Sequence, residues 1–490
     1  MIVKTVTRYI SFFLFLMHFS CIHYNPFASI ILDRGKKEIA LQINTLIDGT
    51  DPNLNVGIKI FNLSTGDVLY EKNNQNRYTP ASNVKLFTAA AALYYLGPYF
   101  RYSTALFTDA ERESSSANNL YIKANGDPDF TKHDLGKLIA DLKYLGISEI
   151  AGNLIIDNSE FDSVYQGPGW TWDEGAWWYS AQIDAMTLND NCVQVLVKPG
   201  KILNAPPKLF FNPSTEFVSI NNSAITTVVE DTLNPLKVER RWQTRENIID
   251  VSGTLGMKSP LRTFTISIDD PAFYTGFRFK EMLNHHSISF SGEVLLDTVP
   301  DGAIELAEVE SEPLYISLIK LLKNSHNLTG ELLVKKMGAV TDTLPGTWEN
   351  GMRAIKTFIN DEVGIDTSSL VLVDGSGLSR YNLLSPAQIV DLLVHVYNDF
   401  KIFPEFLSLL AIGGADGSLE KRMFTEELYL KTRAKTGSLN GVSSLSGYTV
   451  TSDNDIVAFS IMMNGFVGNH TVYRELQDKI VSAITQYSSH

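Results

Sequence analysis

Three strand-like runs follow one another near the end of the chain, "YLKTRAKTGS", "VSSLSGYTVT" and "DIVAFSIMMNG", and a helix closes the sequence. That helix begins near Thr471 and carries Val472, Leu476, Ile480 and Ile484 at fourfold spacing, the mark of one buried face. At the other end, "GKKEIALQINTLIDG" has helical spacing, and "VGIKIFNLSTGDVLYEKN" alternates about an Asn/Ser/Thr/Gly turn as a hairpin does. Strands need partners and an amphipathic helix needs a sheet to cover. The two ends are therefore expected to build one α/β domain between them.

What lies between is then an insertion. Residues 104 to 300 hold short strand-like runs such as "NLYIKANGDPDF", "EIAGNLIIDNSEF" and "SISFSGEVLLD", broken by Gly, Asn, Asp and Pro, with few long helical periods. A chain of 490 residues with 44% hydrophobic content can bury several cores. The expected division is an α/β domain over 28–104 and 300–490, and a largely β insertion. The insertion comprises a domain over 105–190 and 265–299 and a nested one over 191–264.

The opening residues carry Lys4 and Arg8, then the apolar run "YISFFLFLMHFSC", shorter than a bilayer span. Residues 1–22 read as a secretory signal, which places the mature protein in the periplasm or cell envelope. Cys21 ends that run where a lipoprotein signal puts its acylated cysteine. His18 and Phe19 before it fit that pattern poorly, so a lipid anchor at Cys21 stays open. The one other cysteine, Cys192, reads as a small buried hydrophobe. A net charge of −14 leaves no basic stripe to neutralise phosphates, which argues against nucleic acid as a partner. The spacing of His, Cys, Asp and Glu suggests no metal site, and no phosphate-cradling loop is present; no cofactor is expected.

Chemistry enters with "TPASNVKLFTAAAALYYLGP", where Ser82 stands three residues before Lys85 at the start of a helix. Thr79 is expected to cap that helix with Pro80 at its first position, so Lys85 can reach the Ser82 hydroxyl. Ser-x-x-Lys also occurs at Ser317, inside an apolar helix, and at Ser418, after a Gly-rich turn; both read as structural serines. A lysine can take a serine's proton only if burial or a nearby cation lowers its pKa. Lys435, in the single Lys-Thr-Gly of "AKTGS" (Lys435, Thr436, Gly437, then Ser438), is expected to supply that like charge. Its strand can also hold a substrate carboxylate, with Gly437 admitting a neighbouring backbone. Among five Ser-x-Asn triplets, Ser325-His326-Asn327 sits at a junction between two helices before Lys-Thr-Gly.

In that order, Ser82-x-x-Lys85, Ser325-x-Asn327 and Lys435-Thr436-Gly437 resemble the penicillin-interacting serine enzymes. The intervening "GNLIIDNSEFD", "GPGWTWDEGAWWY", "DGSGLSRYNLLSP" and "GGADGSLEKRM" narrow the resemblance to the D-alanyl-D-alanine carboxypeptidase/endopeptidases of the class C low-molecular-mass penicillin-binding proteins, peptidase family S13. Gly-Gly-Asp-Pro of that family is Asn125-Gly126-Asp127-Pro128 here. The resemblance implies an α/β penicillin-binding-protein/β-lactamase-like transpeptidase fold and an acyl-enzyme formed on Ser82. It implies Lys85 as base and Ser325 as proton relay. Asn327 would hold the substrate amide, and Lys435 and Thr436 its carboxylate. The N–H groups of Ser82 and Ser438 would form the oxyanion site. Peptidoglycan stem peptides are the implied substrates and β-lactam antibiotics the covalent inhibitors. Asp173 or Glu174, in the aromatic segment, is the expected contact for a free ammonium on the stem peptide. The tryptophans around them (Trp170, Trp172, Trp177, Trp178) read as packing residues. The competing readings are a β-lactamase or esterase with the same Ser/Lys machinery, and a non-catalytic cell-wall binding protein.

Overall fold

The computed structural model describes residues 26–110 and 115–489; the signal segment 1–22 and Cys21 lie outside the described residues. The two ends of the chain meet in a six-stranded antiparallel sheet. Its order is Ala411–Ile412, Arg433–Leu439, Val442–Val450, Ile456–Asn464, Asn55–Asn62, Val68–Lys72. Strand alternation divides the side chains of Ile456–Asn464 between two cores. Val457, Phe459, Ile461 and Met463 face a core shared with Ile39, Ile43 and Ile47 of the helix Pro26–Thr50 and with Leu476, Ile480 and Ile484 of the helix His470–Gln486. Ala458 and Met462 join the opposite core, built from the helices Val84–Tyr95, Leu314–Lys323, Asn327–Thr341, Trp348–Asp361 and Pro386–Asn398. Covering both faces of the sheet is what allows these strands to be almost wholly buried. Val472, expected on the inner face of the last helix, is 46% exposed; it falls in the first turn, and Tyr473 and Val481 are buried in the helix with Leu476, Ile480 and Ile484.

The middle of the chain has its own core. Its largest sheet has five strands in the order Val294–Leu296, Leu154–Asp157, Leu120–Ala124, Ser103–Thr108, Ile304–Glu310. Ser103–Thr108 and Ile304–Glu310, at its opening and close, pair antiparallel with each other. Smaller sheets occupy 192–267, and strand Cys192–Lys198 pairs with Arg262–Ser267. The sequence under-reads helix here. Lys132–Tyr144 buries Leu135, Leu138, Ile139 and Leu142 under a Thr131/Asp134 capping box, and Pro271–His285 buries Tyr274, Phe279 and Leu283.

Buried lysines latch this middle region to the helical core. Lys335 Nζ donates to Asp162 Oδ1 and to the Val164 carbonyl at 2.6 Å each, lying 4.0 Å over the Trp348 ring, and Lys336 donates to Glu160 at 2.6 Å. Ser317, set aside above as structural, donates to Asp129 at 2.6 Å in the same seam.

Candidate active site

Ser82 lies in a single 3-10 turn, Ala81–Asn83, that leads into the helix Val84–Tyr95. Thr79 does not cap it. Asn464 instead clasps the Thr79 backbone from the neighbouring sheet, accepting from its N–H at 2.8 Å and donating to its carbonyl at 3.1 Å. Two glycines let other backbones close on this turn. A Cβ on Gly437 would stand 2.7 Å from the Pro80 carbonyl, and one on Gly377 (φ 79°) would stand 1.9 Å from the Ala81 carbonyl. Through the first contact, the Lys-Thr-Gly strand lies against the Ser82 turn, where Asn83 donates to the Lys435 carbonyl at 3.2 Å.

Lys85 is fully buried. Its Nζ donates to Ser82 Oγ at 3.0 Å, Asn327 Oδ1 at 2.7 Å and the Ser376 carbonyl at 2.6 Å. Burial brings its ammonium down to about 7, against the opposing pull of Asp374 and Glu331. Such a lysine is substantially neutral at physiological pH, with its lone pair available to an adjacent hydroxyl.

Lys435 is also fully buried and donates to Ser325 Oγ at 2.9 Å and to the Thr436 carbonyl at 2.8 Å. Burial first, and the charge on Lys85 second, hold it well below the ordinary lysine value. Burial is the leading cause at both lysines; the Lys85 charge adds to it at Lys435, whereas the charges felt at Lys85 are those of Asp374 and Glu331.

Ser325 has φ 60°, and the next residue, His326, caps the helix Asn327–Thr341 by accepting from the Thr329 N–H. Burial pushes the His326 imidazole down to about 4. Asn327 uses both ends of its amide: Oδ1 accepts from Lys85, and Nδ2 donates to the Tyr179 carbonyl at 2.9 Å. Thr436 Oγ1 donates to Ser418 Oγ at 2.8 Å, so the serine set aside as structural touches the Lys-Thr-Gly strand. Arg474 Nη2 reaches Ser438 Oγ at 3.4 Å.

The structure therefore brings together Ser82, Lys85, Ser325, Asn327 and Lys435, with Thr436, Gly437 and Ser438 along the adjoining strand. The aromatic segment approaches through Tyr179. Its tryptophans are not packing residues in the main: Trp172 is 78% exposed, Trp177 36% and Trp178 40%, while Trp178 stacks on His326. Asp173 is exposed; Glu174 accepts from Thr171 Oγ1 at 3.0 Å and lies by Tyr179, whose phenol is pushed up to about 12 by burial and then by that carboxylate. Neither acid has a direct contact with the Ser82 cluster. Sequence reading passed over Glu331, Asp374 and Ser376; "DGSGLSR" carried the second and third, but no spacing ties it to Lys85.

The D-Ala-D-Ala carboxypeptidase 3 (S13) family model matches residues 41–487. A D-alanyl-D-alanine carboxypeptidase of Actinomadura sp. (strain R39) is 32% identical over 89% of this chain and 82% of that protein. The D-alanyl-D-alanine carboxypeptidase DacB of Haemophilus influenzae is 29% identical over 84% and 86% respectively. The crystal structure of penicillin binding protein 4 (dacB) from Haemophilus influenzae superposes with a TM-score of 0.81 at 26% identity, covering 91% of this chain and 99% of that one. The chain belongs to the D-Ala-D-Ala carboxypeptidase 3 (S13) family.

Proposed function

We propose that the chain is a serine D-Ala-D-Ala carboxypeptidase and D,D-endopeptidase of peptidoglycan stem peptides, working through an acyl-enzyme on Ser82. The observation that carries this is the buried Lys85 Nζ, 3.0 Å from Ser82 Oγ with burial favouring its neutral form. Neutral Lys85 takes the Ser82 proton as Oγ attacks the carbonyl of the penultimate D-alanine. The tetrahedral oxyanion receives the N–H groups of Ser82 and Ser438. The C–N bond breaks, and the leaving amine of the last D-alanine takes a proton through Ser325, whose Oγ is held by Lys435. Water, deprotonated in turn by Lys85, attacks the ester carbonyl and frees Ser82. Thr436 and Lys435 receive the substrate carboxylate, and a bound anion favours return of the proton to Lys435. Asn327 keeps a second N–H on Nδ2 and a second lone pair on Oδ1 for a substrate amide. In the free enzyme its work is to fix Lys85. β-Lactams acylate the same serine.

A stem peptide with a free ammonium beside the scissile bond meets Asp173 in this reading. Glu174 is already engaged by Thr171 and Tyr179, whereas Asp173 stands exposed on the same aromatic segment. The charged-then-apolar opening of the sequence supports export to the envelope; an acyl group on Cys21, where the sequence leaves the question open, would hold the enzyme at the membrane. Among the described residues no helix is long and apolar enough to cross a membrane.

Penicillin is expected to leave a mass adduct on the peptide containing Ser82. Ser82→Ala should abolish it, while Ser317→Ala and Ser418→Ala still label at Ser82; an adduct on either of those serines would refute the assignment. The acylation rate should rise with pH through about 7, because only the neutral lysine is a base and it forms above its pKa. Lys85→Met should lose acylation at every pH, whereas Lys435→Met should lower the rate and leave the midpoint in place. A midpoint that moved upward in Lys435→Met would restore Lys435 as the charge that depresses Lys85. Asp173→Asn should cut kcat/KM for a free-amine stem peptide by about tenfold to a hundredfold, with an N-acetylated analogue nearly unaffected. Equal loss on both substrates would make Asp173 a residue of loop shape alone. If Cys21 is acylated, Cys21→Ser should move the protein from the membrane fraction to the soluble one on cell fractionation, and a soluble wild type would rule out the anchor.

A further inference from the structure

Ser376 is a peptide with work on both sides. Its carbonyl accepts from Lys85 Nζ at 2.6 Å, and its N–H donates to Glu331 Oε1 at 2.8 Å. Glu331 Oε2 accepts from the Gly375 N–H at 3.0 Å and from Trp348 Nε1 at 2.7 Å. The same loop is folded round a second carboxylate. Asp374 accepts from the N–H of Gly377 at 2.9 Å and of Ser379 at 2.6 Å, from Asn382 Nδ2 at 2.7 Å and from Trp170 Nε1 at 3.1 Å. Both carboxyls are fully buried. Asn327 and Glu331 are four residues apart on one helix and so share a face; the first touches Lys85 directly and the second reaches it through Ser376.

We propose that Glu331 is a positioning residue for the reaction: it fixes the Ser376 carbonyl on Lys85 Nζ and, with Asp374, sets the charge behind the base that governs when Lys85 can take the Ser82 proton. A loop can be fastened by neutral groups, as Asn382 does where it accepts from the Val373 N–H at 2.9 Å. A buried carboxyl is an expensive fastener unless its charge is used. Glu331 faces several charged groups: Lys85 across the loop, Asp374 within it, and Lys335 one turn along its own helix, itself paired with Asp162. Lys85 is faced in addition by Lys435 from the strand and by His326 at the helix start. Burial first and Asp374 second push the Glu331 carboxyl well above the usual carboxylate range, so its charge is not fixed at neutral pH. Each ionised carboxylate favours the protonated lysine. Loss of that charge frees the lone pair at lower pH.

The proposal rests on the reading of Lys85 as base; acylation surviving in Lys85→Met would remove that reading, independently of the result at Glu331. The test is the pH profile of penicillin acylation in the full chain, with rates taken per titratable active site so that misfolded protein does not count. Glu331→Gln removes the charge and turns an amide –NH2 toward backbone N–H groups. Its plateau rate should fall about tenfold or more, and its midpoint should move to lower pH by about one unit. Glu331→Asp keeps the charge but cannot span both amides, so it should lose plateau rate while holding the wild-type midpoint. If Glu331→Gln fails to fold, Trp348→Phe withdraws one donor from the carboxylate and leaves the loop contacts; its midpoint should move the same way by a smaller amount. A lowered plateau with an unmoved midpoint in Glu331→Gln or, in its place, Trp348→Phe, or a midpoint that moves equally in Glu331→Asp, would reduce Glu331 to a structural fastener.

Discussion

The burial of one amino group organises this molecule. An ammonium out of water costs several kcal/mol unless it is hydrogen-bonded or gives up its proton, and Lys85 is served by acceptors from three separate parts of the chain. Ser82 comes from its own turn, Asn327 from a helix more than two hundred residues later, and Ser376 from a loop beyond that. Each acceptor is in place only if its element is packed, so the chemistry depends on the complete helical core. In the proposed reaction, removing water from Lys85 is also what makes it a base, so the property that threatens the fold is the one that would drive acylation.

The sheet meets that requirement through close backbone approach. Gly437 and Gly377 admit the nucleophile turn from two sides, and Asn464 of the central strand clasps Thr79 just ahead of it. A long insertion is tolerated because its opening and closing strands, Ser103–Thr108 and Ile304–Glu310, pair with each other. The chain thus leaves the helical core and returns at neighbouring points, and the two cores remain separate. The insertion nevertheless reaches the site. Trp170 donates to Asp374 and the Tyr179 carbonyl receives Asn327, so the aromatic segment is fastened to two groups that stand beside Lys85.

What could be read from the sequence was what local period encodes. Alternation gave the hairpin and the three C-terminal strands, and three-residue spacing put Lys85 over Ser82 on one face. Val472 failed because fourfold spacing does not say where a helix meets its sheet. The two helices of the insertion were hidden among Gly-rich and Asn-rich turns. The tryptophans misled because aromatic content suggests a core, whereas here exposed Trp172 lies against Trp242 and partly exposed Trp178 stacks on His326. Glu331 was invisible for a different reason. In sequence it is an ordinary helical glutamate, and only tertiary burial against residues 374–377 gives it a role. The full burial of both Lys85 and Lys435 was likewise beyond reach, since motif order gives proximity but not solvation.

Thirteen non-glycine residues among those described have left-handed backbone, and two of them stand at the site. Ala81, just before the nucleophile, has φ 48°, and Ser325 has φ 60°. Neither is glycine, so each carries a cost on the order of 1–3 kcal/mol that its surroundings must overcome. Around Ala81 they do so through Asn464 on one side and the close approach of Gly377 on the other. Around Ser325 they do so through the His326 cap and the hydrogen bond from Lys435. A relaxed backbone at either position would turn its serine hydroxyl away from its lysine. These two left-handed residues stand beside the two Ser/Lys contacts of the site, so in the proposed reaction the conformational cost falls where the protons move.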